Sequence, residues 1–201
     1  MNHLQPIKSL HNTYYAMRHG HSKANAQGVV ISHPRNGLHE DYALSELGRE
    51  QVLAAAKCSH LTDKILIYCS DFSRAIETAY ILQSILGTPE IHTSKRLRER
   101  YFGDWEKADL NNVYSKVWES DRSSADHTEY NVEAANAVLD RVTALIVNLE
   151  RRYQNKDILL VSHGDTLQIL QVGFMGMNAS RHRSLPHLEV AEIRRLSFTA
   201  P

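Results

Sequence analysis

Three short apolar runs in this chain each break abruptly into a polar turn. Tyr14–Met17 runs into Arg18-His19-Gly20, Ile65–Cys69 into Ser70-Asp71, and Ile158–Val161 into Ser162-His163-Gly164. Runs of this length bounded by turn formers have the size of β-strands, and segments with helical apolar spacing separate them. Alternating strands and amphipathic helices predict an α/β fold, with a mostly parallel central sheet and helices on both faces. Ligands of such sheets bind at the carboxyl ends of the strands. The three polar turns would therefore meet at one edge of the sheet, and that convergence says more than any one of them.

The helical segments have readable limits. Ser45 is placed to N-cap a helix whose apolar face is Leu47, Ala54, Ala55 and Cys58. Ser70 or Asp71 would cap the next helix, with Ala75, Ala79, Leu82 and Leu86 inward, until Gly87 stops it and Pro89 prevents its continuation. A short strand is expected over Glu90–Thr93 and a short helix near Leu110–Trp118. Val132–Tyr153 reads as the longest helix, with a stripe of Val138, Val142, Leu145 and Leu149 and a turn at Asn155. A helix from Asp165 carries Leu167, Leu170 and Phe174, and a last strand is expected within Leu188–Leu196. Gln27–Tyr42, with Pro34 and Asn36-Gly37, reads as a loop long enough to be functional. Residues 1–201 are expected to form a single domain, with a small lid-like excursion around 95–131.

Composition narrows the function. Lys and Arg total 23 and Asp and Glu total 23, so net charge supports neither nucleic-acid nor anionic-membrane binding, and any positive potential is local. No signal-peptide core and no bilayer-length apolar run is present, and Cys58 and Cys69 read as buried, reduced thiols, so a cytoplasmic protein is expected. Composition assigns no oligomeric state. Among 12 histidines, His3, His11, His60 and His92 lie in polar company, whereas His19, His21 and His163 follow predicted strands.

Those strand ends carry the chemistry. Arg18 offers a permanently charged planar fork suited to phosphate, and Gly20 permits close backbone approach. His19 beside it could attack a phosphorus that the arginine holds, splitting one hard displacement into two easier ones. Arg74 falls in the first turn of a helix, where free N–H groups and the dipole attract anions; a cation there opposes the dipole, a mild cost that an anionic ligand would offset. His163 could donate to developing phosphoryl charge in the same pocket. A general acid is also needed, and residue chemistry alone leaves Glu99, Asp104 and Glu106 open.

Arg18-His19-Gly20 with Asn25, Ser70-Asp71…Arg74-Ala75…Glu77-Thr78, Leu97-Arg98-Glu99…Phe102-Gly103-Asp104-Trp105-Glu106 and Ser162-His163-Gly164 occur in this order. Together they resemble the histidine phosphatase superfamily, in its phosphoglycerate-mutase-like branch, from Tyr14 to about Leu196. The resemblance implies a phosphoglycerate-mutase-like fold and a phosphomonoesterase that acts on a small phosphorylated metabolite through a phosphohistidine. It implies that His19 is the nucleophile, that Arg18, Arg74 and His163 hold the phosphoryl oxygens, and that Glu99 is proton donor and acceptor. Asn25, Ser22 and Gly164 would contact the substrate. No metal and no cofactor are implied, because fixed cations already neutralise the phosphoryl charge. Two positions depart from the pattern. His21 stands where many members carry an acidic residue, which makes it the first candidate for specificity. Asn131-Val132-Glu133 replaces the Gly-Glu-Ser block before the long helix, so Glu133 receives no site role.

Other readings compete. Mutases of this kind carry long insertions after the acid glutamate and extended C-terminal tails; here Lys107–Asn131 is short and mixed in charge, which favours a phosphatase over a phosphoglycerate mutase-type phosphoryl transfer. A metal-dependent hydrolase would use His19, His21, His163 and Asp165, but Gly20 and the polar residues after His21 argue against a strand running through them. A non-catalytic phospholigand-binding module would lack a nucleophile or an acid, and candidates for both are present. His33, Arg35, Arg122 and His127 are candidates to meet the rest of the substrate.

Overall fold

The computed structural model describes residues 1–198 and shows a five-stranded sheet in the order β3-β2-β4-β1-β5. In chain order the regular elements are β1 (Thr13–Arg18), α1 (Lys23–Gln27), α2 (Pro34–Gly37), α3 (Glu46–Cys58) and β2 (Leu66–Cys69). They continue with α4 (Ser73–Leu86), β3 (Ile91–Thr93), α5 (Leu110–Ser123), α6 (Ala135–Arg152), β4 (Asp157–Ser162), α7 (Gly164–Phe174) and β5 (Ile193–Leu196). β4 lies at the centre, parallel to β1 and β2, and β3 is parallel to β2; only β5, paired with β1, is antiparallel. Register places Arg18 opposite Ser162 and Cys69 opposite Val161, so the three polar turns emerge side by side from adjacent strands.

Alternation along the strands divides the core, as a period of two requires. Tyr14, Ala16, Ile158 and Leu160 face α6 and α7, while Met17, Ile67, Cys69, Leu159 and Val161 face α3 and α4. The predicted α6 stripe of Val138, Val142, Leu145 and Leu149 is buried, each side chain contributing roughly 1.5–3 kcal/mol. Burial on both faces explains why β4 is a continuous apolar run rather than an alternating one.

Several local expectations are corrected. The buried face of α3 is Gly48, Val52 and Ala56, while Leu47 is 51% exposed. Gly48 meets the backbone of the first turn: a Cβ there would lie 1.9 Å from the His21 carbonyl oxygen, and one on Gly20 would lie 2.5 Å from the Gly48 oxygen. A backbone-to-backbone contact of this kind carries no hydrophobic signal, so counting apolar side chains selects the wrong face. Cys58 at the end of α3 is consequently exposed, whereas Cys69 is buried and its thiol pushed up to about 12 by desolvation. The N-cap of α4 is Phe72, without a side-chain cap bond; Ser70 Oγ instead accepts from Phe72 N, and Asp71 takes a bidentate pair from Arg98 at 2.7 and 2.6 Å. α6 begins at Ala135, because Tyr130 and Asn131 adopt positive φ and close against Gly103. The last strand is confined to Ile193–Leu196, since Ala191 adopts positive φ and Glu192 N closes a turn on the Glu189 carbonyl just before it.

Candidate active site

The strand-end residues converge as the alternation predicts. His19 is 4% exposed and His163 fully buried, with ring centroids 5.1 Å apart. Arg74 lies between them: its Nε is 3.1 Å from His19 Nε2 and 3.2 Å from His163 Nδ1. Its Nη2 donates to the Ile31 carbonyl at 2.9 Å, so the 27–42 loop helps to aim it. Two guanidinium nitrogens, Arg74 Nη1 and Arg18 Nε, are buried without a partner among the described residues. Buried cationic donors left unpaired are costly unless a ligand takes them, and an oxyanion between Arg18 and Arg74 would do so.

The tautomers follow from the bonds. His19 Nδ1 sits 2.7 Å from the Gly20 carbonyl, which can only accept, so Nδ1 carries the proton and Nε2 presents its lone pair. His163 Nδ1 accepts from Arg74, so its proton is on Nε2, 2.9 Å from Ser70 Oγ. Burial, reinforced by Arg74 and Arg18 for His19 and by Arg74 and His19 for His163, holds both imidazoles well below their ordinary pKa, in the neutral form. Burial also lowers Arg74 to about 10, partly offset by the charge of Glu99.

A consequence for stability follows with a definite sign. In the unfolded chain both imidazoles protonate as pH falls through about 6.5, whereas the folded ones stay neutral. Stability is therefore expected to fall below that pH, by up to about 1.4 kcal/mol per pH unit for each group. His182 works the other way: Asp165 raises it despite burial, so its contribution is fully present below about 6.5 and adds no acid-side loss. Urea midpoints of the native chain and of His19→Ala, measured from about pH 6.5 down to 5, check this, because His187 and Glu99 contribute equally to both; identical slopes would mean that His19 charges in place.

Glu99, Asp104 and Glu106 are separated by their surroundings. Glu106 is spent on the 27–42 loop, accepting from Ser32 N, Ser32 Oγ, His33 N and Asn36 Nδ2 at 2.8–2.9 Å. Asp104 is exposed and accepts from Asn131. Glu99 alone is buried, with Oε1 accepting from Arg100 N at 2.9 Å and from Thr166 N, at the start of α7, at 3.2 Å. Desolvation first, and the nearby Asp165 charge second, raise its pKa above the usual carboxylate range. Ser162 Oγ and Thr166 Oγ1 pin the carbonyls of Leu97 and Arg98, which fixes this segment to the end of β4.

Other predicted residues have different places. Ser22 and Asn25 form a reciprocal capping box on α1: Ser22 Oγ accepts from Asn25 N and donates to Asn25 Oδ1, which leaves Asn25 Nδ2 for a ligand. Gly164 lies under Arg18, where a Cβ would be 3.4 Å from its Cζ. His21 is turned to the α3 cap, its Nδ1 2.9 Å from Ser45 Oγ, rather than toward Arg74. His33, Arg35 and Arg122 are exposed, and His127 points inward to Asp121 at 2.8 Å. Glu133 bridges Tyr101 N and Arg141 and so braces the base of the excursion. His21 is thus tied to Ser45, and Asp165 to Arg100 and Trp118; among the described residues no three His, Cys, Asp or Glu are grouped to hold a metal ion.

The sequence carried no signal for what lies behind Glu99. Arg100 is fully buried and gives a bidentate pair to Asp121 at 2.7 and 2.8 Å and a bond to Asp165 at 3.1 Å. Trp118 Nε1 donates to Asp165 at 3.0 Å, and His182 lies 3.5 Å from the same carboxylate. This network ties α5 of the excursion to α7. Tyr114, half-buried and stacked on Trp118 at 4.8 Å, has its hydroxyl's pKa raised by desolvation and then by the charge of Glu99.

Comparisons with known proteins place the fold and the family. The mycobacterial glucosyl-3-phosphoglycerate phosphatase structure superposes with a TM-score of 0.76 over 92% of this chain and 89% of that one, at 24% identity, which speaks to the fold. Glucosyl-3-phosphoglycerate phosphatase of Mycolicibacterium vanbaalenii is 31% identical over 171 residues, covering 80% of this chain and 73% of the relative. Adenosylcobalamin/alpha-ribazole phosphatase of Escherichia coli is 31% identical over 171 residues, 82% and 80% of the two chains. The family description "Histidine phosphatase superfamily (branch 1)" matches residues 14–200. With the paired imidazoles and unpartnered guanidinium donors at those strand ends, the match leaves one assignment: the chain belongs to the histidine phosphatase superfamily, branch 1.

Proposed function

We propose that this enzyme, a histidine-type phosphatase, hydrolyses small phosphorylated metabolites in the cytoplasm through a phosphohistidine on His19. The observation that carries the reading is the Nε2 lone pair of a buried, neutral His19 set against guanidinium N–H groups that have no partner among the described residues. An entering phosphoryl group takes the Arg74 donors onto its oxygens, which uncovers Nε2 for in-line attack. Arg18 and Arg74 then stabilise the charge on the equatorial oxygens, Asn25 Nδ2 helps to place them, and His163 Nδ1, released by Arg74, accepts the proton of the phosphoryl monoanion and so comes to hold an N–H toward that oxygen. Glu99, whose acid form is favoured by burial, gives its proton to the departing oxygen. As a carboxylate it then takes a proton from the water that attacks the phosphohistidine, releasing inorganic phosphate and restoring both groups. Residues 1–201 work as one domain, with the segment around 95–131 as a lid over the site.

The relatives are named as phosphatases of glucosyl-3-phosphoglycerate and of adenosylcobalamin/alpha-ribazole, which supports a phosphorylated metabolite as substrate here. A panel of phosphomonoesters that includes phosphoglycerates tests the reading. Release of free phosphate is expected, and transfer between two hydroxyls of a phosphoglycerate without release would replace hydrolysis by mutase chemistry. Glu99→Gln is expected to slow alkyl phosphates by about 10²–10⁴-fold, and aryl phosphates, whose leaving oxygen needs less protonation, much less. Equal loss for both would assign the acid role to another residue. Because burial raises Glu99, the acid form persists to higher pH than an ordinary glutamate, and the rate on alkyl phosphates should fall as pH rises through that shifted value.

A further inference from the structure

We propose that His187 is a positioning residue for the phosphate cradle: as a neutral imidazole it accepts a hydrogen bond from Arg18 and so aims the free Nε of that guanidinium at the phosphoryl group. The proposal rests on the reading of Arg18 as a phosphoryl ligand. Its geometry is a short relay. Arg18 Nη1 donates to His187 Nε2 at 2.7 Å and to the Leu188 carbonyl at 3.1 Å, while Arg18 Nε has no partner among the described residues. A guanidinium can only donate, so His187 Nε2 carries a lone pair and the ring proton sits on Nδ1. Nδ1 in turn meets Gln168 Oε1 at 3.0 Å.

Gln168 is oriented in its own right. Its Nε2 donates to the Leu185 carbonyl at 2.7 Å, which turns Oε1 toward His187, and Arg183 Nη1 bonds to the same oxygen. Arg183 is itself held 3.5 Å over the Trp118 ring. The relay therefore runs from α5 and α7 to the end of β1. Gly164 makes room for it: a Cβ there would lie 3.3 Å from His187 Cε1 and 3.4 Å from Arg18 Cζ.

The neutral state is what the surroundings favour. Burial, Arg18 from β1 and Arg183 from the Ala179–Ser184 turn all oppose an imidazolium, and Glu189 and Asp165 only partly offset them, so His187 is lowered to about 4. Protonation would exchange the acceptor for a donor and push Arg18 away. This is positioning through another residue, the way a fixed tautomer orients an imidazole or carboxylate that does the chemistry itself.

Binding of inorganic phosphate and of sulfate, a dianion at every pH used, tests the assignment by calorimetry. His187→Phe removes the acceptor and is expected to weaken both anions about tenfold or more. His187→Gln, whose amide oxygen can take the place of Nε2, should recover most of the affinity. Gln168→Glu provides a readout that a merely structural role would not move. A carboxylate on Nδ1 raises the imidazole pKa, so sulfate affinity should show a new loss toward acid pH, and that loss should vanish in Gln168→Glu/His187→Gln. Wild-type affinity in His187→Phe, or equal losses in the Phe and Gln variants, overturns the proposal. Arg18→Ala separates the two readings. If it loses phosphate while His187→Phe does not, only the role of His187 falls; if Arg18→Ala binds phosphate normally, the cradle falls and this proposal with it.

Discussion

His19→Ala is expected to abolish both turnover and covalent labelling. With a radiolabelled aryl phosphate, the native enzyme should retain label through an alkaline quench and lose it in acid, since a phosphoramidate N–P bond is acid-labile and base-stable. Loss of a nucleophile that acts as a unit with its neighbours costs on the order of 10⁴–10⁶ in kcat. The fold should survive, because His19 makes one side-chain bond to its neighbour's carbonyl and accepts one from Arg74. Removing a buried imidazole that must stay neutral should also reduce the acid-side loss of stability, by the share that His19 contributes. Label of equal amount and equal alkaline stability on His19→Ala would sink the phosphohistidine mechanism.

Arg100→Met should produce the largest loss of stability. The substitution leaves Asp121, fully buried, and Asp165, 4% exposed, without their shared cation. Breaking a buried ion pair from one side costs about 3–5 kcal/mol, because a desolvated charge remains. The native network holds Asp165 far below the usual carboxylate range: burial alone would raise it, but His182 and Arg100 outweigh that. Without Arg100, Asp165 loses one of the two cations that hold its carboxyl down, so the deficit should shrink as pH falls. Adding Asp121→Asn and Asp165→Asn should recover much of the loss at neutral pH, since no buried charge is then unpaired. Urea unfolding across pH measures both, and an unchanged midpoint for Arg100→Met would show that the network carries no net charge cost. Because Asp165 also raises Glu99, the triple variant should move the alkaline fall in rate on alkyl phosphates to lower pH.

Much of the site was legible because its members sit where chain punctuation is strongest. His19 and His163 each follow an apolar run directly, and Arg74 opens a helix that follows another, so period and turn chemistry placed them on adjacent strand ends. The choice among Glu99, Asp104 and Glu106 was not legible by chemistry, since three carboxylates within eight residues differ only in what surrounds them. Four donors draw Glu106 into a loop brace, and the start of α7 draws Glu99 inside. His21 shows the reverse case: a position prominent in sequence, whose ring the fold commits to the cap of α3.

By itself the sequence determined the strand–helix alternation, the family and the residues at the strand ends, because these depend on spacing along the chain. Tertiary structure decided which face of α3 is buried, which carboxylate is desolvated and what stands behind the cradle. Arg100 meets Asp121 and Asp165 across separations of 21 and 65 residues, and Arg18 meets His187 across 169. Pairings of that span leave no periodic trace. Their energies arise only when folding removes water from both partners at once, which is why a surface-looking arginine and an unremarked histidine became the supports of the site.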